Sequence, residues 1–179
     1  LMAVGLSLAE KVTKSIANLQ HYEREALKHD PVDGYWLCDS FGKDSCVIRH
    51  LAKVAGVAHK CHHNLTTLDP PELIHFGREH HPETIIHRPE RPLLKQMLEP
   101  GTACPPTRLA RWCCAKYKES KGSGVLVFGV RAAESVTRKA NWSTWQKHRG
   151  RKEETWILNP ILYWSDEDVW RYIRKNDLP

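Results

Sequence analysis

Residues 40–45 read Ser-Phe-Gly-Lys-Asp-Ser and follow directly on a short apolar run, Gly34-Tyr35-Trp36-Leu37-Cys38. A strand, a tight turn with glycine, and a helix that opens on Lys and Ser make an anion-binding design. N–H groups at a helix N-terminus point at the ligand, and the helix dipole favours negative charge there. Gly42 lets the backbone approach without a Cβ. Lys43 adds a full positive charge, while Ser40 and Ser45 add hydroxyl donors. A phosphate or sulfate group suits these residue types. With one glycine, the segment is neither G-x-x-x-x-G-K-[ST] nor G-x-G-x-x-G.

Sulfur supplies the second chemical feature. Cys113 and Cys114 are adjacent, Cys104 precedes them, and Arg108, Arg111, Lys116 and Lys118 lie near in sequence. Cations close in space would favour thiolate. The alternative is two ordinary helix cysteines, one buried and one facing a crevice. His59, Cys61 and His63 alternate along a strand and share a face. Three side chains on one extended strand do not readily close around an ion, and a closed zinc site wants four ligands, so no metal site is read there. Cys38 and Cys46 stand in apolar contexts and read as small core residues.

These groups need elements to carry them. Ser7-Leu8-Ala9-Glu10 has capping-box spacing, and Leu8, Val12, Ile16, Leu19 and Tyr22 recur at helical spacing, so residues 1–33 read as an N-terminal helix packed on the domain. Strand 34–39 leads through the loop to a helix over 43–55, closed by Gly56. Residues 57–65 read as a strand, 71–80 as a helix opening on Pro71, and 84–87 as a short strand. Helices over 91–98 and 111–119 flank a loop with Pro105-Pro106. Gly124 to Val130 is the most apolar strand, as a buried parallel strand should be. Residues 139–153 are polar and basic without a clear period and read as a loop. Thr155 to Leu158 makes a fifth strand, and Ser165-Asp166-Glu167-Asp168 opens the last helix.

Strands alternating with helices imply βαβ units and a mostly parallel five-stranded sheet in a three-layer α/β/α fold. Ligands bind such sheets beyond the carboxyl ends of the strands. That places Ser40, then Thr66, Thr67 and Asp69, then Gly129 and Arg131 around one crevice.

The 179 residues suffice for one domain, and the net charge of +6 fits an anionic partner, a nucleotide or a nucleic acid. No apolar run is long enough to span a bilayer. The N-terminal residues lack a basic n-region, so a cytoplasmic location and free thiols are expected.

The hexapeptide resembles the PP-loop, S-x-G-x-D-S, of the adenine nucleotide α-hydrolase-like superfamily. Four further segments agree with it in order: Leu65-Thr66-Thr67-Leu68-Asp69-Pro70-Pro71-Glu72-Leu73, Arg111-Trp112-Cys113-Cys114-Ala115-Lys116, Gly129-Val130-Arg131-Ala132-Ala133-Glu134-Ser135, and the run from Asn159 to Trp170. From residue 34 onward the chain is similar to the 3′-phosphoadenylylsulfate (PAPS) reductase family, in its phage-type branch.

The resemblance implies a Rossmann-like domain over 34–179 that binds an adenine nucleotide (PAPS, APS or ATP). It implies that Ser40, Phe41, Gly42, Lys43, Asp44 and Ser45 form the phosphate or sulfate loop. Thr66 and Thr67 would end the strand that flanks the adenine, with Asp69 also on the nucleotide. Gly129 and Arg131 would lie under the nucleotide, and Glu134, Ser135 and Arg138 would come from the segment after it. Arg131 and Arg138 can pair with phosphate. Phe41 stands where the broader pattern has glycine and tilts the loop toward sulfonucleotides. Sulfonucleotide reduction implies a thiolate that attacks sulfur and a thiol electron donor such as thioredoxin. In the reductases that thiolate sits in a C-terminal tail. No cysteine follows Cys114, so the chain reads as a truncated form unless Cys113 and Cys114 themselves serve. Some relatives hold an iron–sulfur cluster through an adjacent pair plus a later C-x-x-C, and here Cys113 and Cys114 match the pair alone.

Two other functions fit the same residues. One is an ATP pyrophosphatase that adenylates a substrate for sulfur transfer to nucleic acid, with Mg²⁺ beside Lys43 and Ser45 and the 139–153 segment against the nucleic acid. The other is a nucleotide-binding module without chemistry.

Overall fold

The Ser7 side chain accepts from the Glu10 amide, and the Glu10 carboxylate accepts from the Ser7 amide at 2.7 Å. On this capping box the first helix, α1 (Leu8–His29), begins in the computed structural model of the chain. The structure describes residues 5–99, 101, 105–107, 110–118, 121–148 and 154–179. Strand β1 (Tyr35–Cys38) runs into the loop and then α2 (Lys43–Ala55), which Gly56 ends in the left-handed region at φ 69°. Next come β2 (His59–Asn64), α3 (Pro71–His80), β3 (Ile85–His87) and α4 (Leu93–Met97). A π-helical turn at Cys114–Lys118 precedes β4 (Val125–Val127). A 3₁₀ turn, Ala132–Glu134, leads to α5 (Val136–Asn141), β5 (Trp145–Lys147), β6 (Trp156–Leu158) and α6 (Asp166–Lys175).

The sheet order is β3-β2-β1-β4-β6-β5. All neighbours pair in parallel except β5, which runs antiparallel to β6. The α/β class and the mostly parallel sheet are as expected, but the described residues form six strands rather than five. The additional one, β5, lies in the segment read as loop. Three residues are too short for an alternating pattern to register. Tertiary contact holds the strand instead: the Trp145 ring stacks on Tyr22 of α1 at 4.1 Å and on Trp156 of β6 at 5.1 Å. Of the basic cluster at 147–152, Arg149, Arg151 and Lys152 lie outside the described residues, as do Cys104 and Arg108.

Strand alternation sorts the two faces. Tyr35 and Leu37 of β1, Cys61 of β2, Val125 and Val127 of β4 and Leu158 of β6 enter the core with Leu19 of α1, Val47, Ile48 and Leu51 of α2, and Tyr172 of α6. Trp36 points to the other face, stacked on His62 at 3.4 Å. From β1 the chain winds outward to β2 and β3 on one side, and β4 and β6 fill the other. Neighbouring crossovers therefore diverge between β1 and β4, which opens a crevice at their carboxyl ends.

One contact ties α3 to this crevice. A Cβ built on Gly77 would lie 2.6 Å from the Phe41 ring. Gly77→Ala is expected to destabilise the fold by about 1–3 kcal/mol through overpacking, read as a lowered urea midpoint. An unchanged midpoint would mean that the ring is not seated on α3.

Candidate functional site

Asp39, one residue past β1 and 4% exposed, organises the loop. Its N–H donates to the His62 carbonyl and its own carbonyl accepts from His63 Nδ1, both at 2.8 Å. Its carboxylate accepts the Phe41 N–H at 2.8 Å and the Thr84 hydroxyl at 3.3 Å, and pairs with the Arg49 guanidinium of α2. These bonds hold Phe41 at φ 59°, a left-handed conformation that a residue with a Cβ adopts only when its surroundings enforce it. The ring turns inward, stacked on His63 at 4.4 Å and against Gly77. Phe41 thus reaches the loop through its backbone.

Beyond Phe41, Gly42 is the N-cap of α2. Having no side chain, it leaves the first-turn amides facing the loop. The Ser45 hydroxyl accepts the Ser40 N–H at 2.9 Å and lies 2.8 Å from the Ser40 hydroxyl, closing the loop on itself. Gly129, just past β4, comes so close to α2 that an added Cβ would sit 3.1 Å from Asp44 Cβ. Between these walls lies a crevice of about 420 Å³, in the usual size range for small-molecule sites. Ser40, Asp44, Ser45, Thr66, Asp69, Gly129 and Glu134 line it, as the sequence reading brought together. His62, His63, Asn64 and Lys118 line it too, and sequence reasoning missed them. A second hollow of about 460 Å³ lies between the end of β3, α4 and the π-turn. It is basic, but its walls include none of the loop residues.

Three cations around the loop, Arg131, Lys43 and Arg138, are held by carboxylates. Arg131, whose side chain is 4% exposed, places Nε 2.8 Å from Asp44 Oδ1 and Nη2 3.0 Å from Asp166 Oδ1. Lys43 Nζ lies 3.5 Å from Asp44 Oδ2 and 3.3 Å from the same Asp166 oxygen. Arg138 pairs with Glu134, whose carboxylate also accepts the Arg131 N–H at 3.1 Å. Asp166 was legible only as a helix-opening acid.

Other expected residues turn to structural work. Thr66 donates its N–H and hydroxyl to Asp69 Oδ2, at 2.6 and 2.8 Å. Thr67, at φ 65°, accepts the Leu93 N–H at 2.9 Å and so fixes the start of α4. Ser135 accepts the Arg138 N–H at 3.1 Å as the N-cap of α5.

A family model described as the phosphoadenosine phosphosulfate reductase domain matches residues 34–179. The chain belongs to this family. Among curated relatives, adenosine 5′-phosphosulfate reductase of Lysinibacillus sphaericus (strain C3-41) is 32% identical over 73 residues, 37% of this chain and 30% of that protein. Phosphoadenosine 5′-phosphosulfate reductase of Xylella fastidiosa (strain M12) is 34% identical over 56 residues, 31% of this chain and 22% of that protein. The matched part thus spans less than a third of either relative. Among solved structures, phosphoadenylyl-sulfate reductase from Candida auris, as a phosphate complex, superposes with TM-score 0.62 at 14% identity. The alignment covers 98% of this chain and 90% of that one. Candida glabrata FMN adenylyltransferase with FMN and AMPCPP gives TM-score 0.55 at 15% identity, over 97% and 60%. Both likenesses show the Rossmann-like fold.

Within this family member, Cys113 immediately precedes the π-turn and Cys114 opens it, and the same turn sends Lys118 into the crevice wall. The Cys113 thiol is pushed above its ordinary value, first by desolvation and then by the adjacent Cys114, against a weaker opposing pull from Lys118. The Arg111 guanidinium donates to Cys114 Sγ at 3.6 Å. An iron–sulfur cluster usually takes four thiolates. Among the described residues no three His, Cys, Asp or Glu side chains gather to hold a metal, so the pair alone does not fit such a cluster.

His62 is stacked beneath Trp36 and lies 2.9 Å from His87, Nδ1 to Nε2. Burial first, then His87, lowers its pKa to about 4. The folded state therefore resists a proton that the unfolded chain accepts near pH 6.5, so stability is lost as pH falls from about 6.5 to about 4. The melting temperature is expected to drop across that window, and His62→Gln to flatten the drop. An equally steep profile in the variant would locate the titration elsewhere.

Proposed function

We propose that the crevice between β1 and β4 binds an adenylyl nucleotide bearing a sulfate group, within a sulfonucleotide reductase. The observation that carries the reading is the loop. It places uncapped α2 amides, two bonded serines and Lys43 at the one point where the strand order diverges, in a chain of the phosphoadenosine phosphosulfate reductase domain family. In this reading the amides of Lys43 and Asp44, with Ser40, receive the sulfate or phosphate oxygens. Gly129 allows the nucleotide to lie close over β4, and Thr66 with Asp69 shapes the adenine end.

Reduction requires a thiolate to attack sulfur, the S–O bond to the nucleotide phosphate to break, and a second thiol to release sulfite. Of the adjacent pair, Cys114 stands beside a cation, Arg111. We assign the attacking role to Cys114 in this chain or to a thiol beyond it, and the electrons to a dithiol donor of thioredoxin type. A cytoplasmic setting agrees with free thiols.

Isothermal titration with PAPS, APS and ATP tests this. A sulfonucleotide is expected to bind more tightly than ATP. Lys43→Ala is expected to weaken it by about 1.5–3 kcal/mol, roughly 10- to 150-fold, the range for hydrogen bonds to charged groups. Preference for ATP, with cleavage to AMP and pyrophosphate, would overturn the reductase reading. Unchanged affinity in a folded Lys43→Ala protein would move the anion away from the loop.

A further inference from the structure

Lys43, Asp44, Arg131 and Asp166 form a closed ring of alternating charge. Asp44 meets Arg131 at 2.8 Å and Lys43 at 3.5 Å, while a single oxygen of Asp166 meets Arg131 at 3.0 Å and Lys43 at 3.3 Å. The ring has a buried half and an outer half. The side chains of Arg131 and Asp44 are 4% and 20% exposed, whereas Asp166 is 62% exposed. Gly129 packs against the first turn of α2 and pins the inner half in place. Asp166 is under no such constraint. The start of α6 is anchored by its neighbour Asp168, which accepts from Ser165 and from Lys11 at 2.5 Å.

We propose that Asp166 is a resident counter-ion, a positioning residue that occupies the anion's place on Lys43 and Arg131 and must swing aside when an oxyanion enters the loop. The inference rests on the loop being the anion site. An entering sulfate needs Lys43, and Lys43 already spends its charge on Asp166. A dianion beside an undisplaced carboxylate would meet like charge at hydrogen-bond range, in a partly desolvated site. The member of the ring with the most solvent around it is also the one that can be rehydrated at least cost on leaving. Lys43, more than any other group, holds the Asp166 carboxyl below the usual carboxylate range, so the counter-ion is charged whenever the site is used at neutral pH. The device keeps two cations aimed at one point while no ligand is bound, and it subtracts from the affinity of every anion that binds.

Inorganic sulfate is the probe, with binding read from the shift of the Gly42 amide in NMR titrations of the whole chain. Asp166→Asn is expected to tighten sulfate about three- to fivefold, the worth of one or two exposed ion pairs. Asp166→Glu should restore the counter-ion and return the affinity to within about twofold of the parent. In a Lys43→Ala background the Asp166→Asn gain should vanish. If Lys43→Ala loses sulfate but Asp166→Asn leaves it unchanged or weaker, Asp166 supports the site rather than competing for it, and the inference is overturned. If Lys43→Ala binds sulfate as the parent does, the loop is not the anion site, and both the inference and the reading beneath it fall. A purely structural role for Asp166 would lower the melting temperature of both its variants without a gain in affinity.

Discussion

The buried carboxylate of Asp39 is the constraint on which the site depends. One side chain joins the end of β1, the loop amide of Phe41, the hydroxyl of Thr84 and the guanidinium of Arg49, while its backbone joins His62 and His63. A charge taken out of water is tolerated only when it is paired and hydrogen-bonded, so these bonds cannot be removed singly without leaving a costly orphan. The left-handed turn at Phe41, the aim of the α2 N-terminus and the spacing of β1 from β2 are thereby one decision. A loop so determined can present backbone amides to an anion without first being ordered by it.

Electrostatics of the site differ from the picture of an open cationic cradle. The guanidinium of Arg131 is almost wholly buried and engaged by Asp44 and Asp166, and that of Arg138 is engaged by Glu134. The positive potential available to a ligand then comes from the α2 amides, from Lys118 in the crevice wall and from whatever part of Lys43 and Arg131 is released by Asp166. Arg131 is also the strut that fixes Asp44 and receives α6.

Much of this was legible in the residues. The Ser7, Gly56, Pro71 and Ser165 punctuation marks real helix ends, because capping chemistry is local and needs no tertiary partner. The Val125-Leu126-Val127 run lies inside the sheet because only full burial tolerates it. What escaped reading depends on distant partners. Strand β5 exists through Trp145 stacking on Tyr22, more than a hundred residues earlier in the chain. Thr67 looked like part of a strand-end site, but its hydroxyl belongs to the start of α4. His62, Asn64 and Lys118 reach the crevice because of strand register and a π-turn, neither of which leaves a periodic trace. Asp166 carries the signature of a helix start and nothing more, since its ion pairs span the whole domain.

The seat of the Phe41 ring on Gly77 has a consequence for descent. A bulky residue in the loop and a missing side chain on α3 are two halves of one change, separated by thirty-odd positions of sequence. A lineage that carries glycine at the loop position has no ring to house and is free to place alanine or larger on the helix. One that acquires the aromatic must clear the helix first, or pass through a crowded intermediate. The two positions should therefore covary, with the helix glycine appearing before the loop aromatic in the order of substitution.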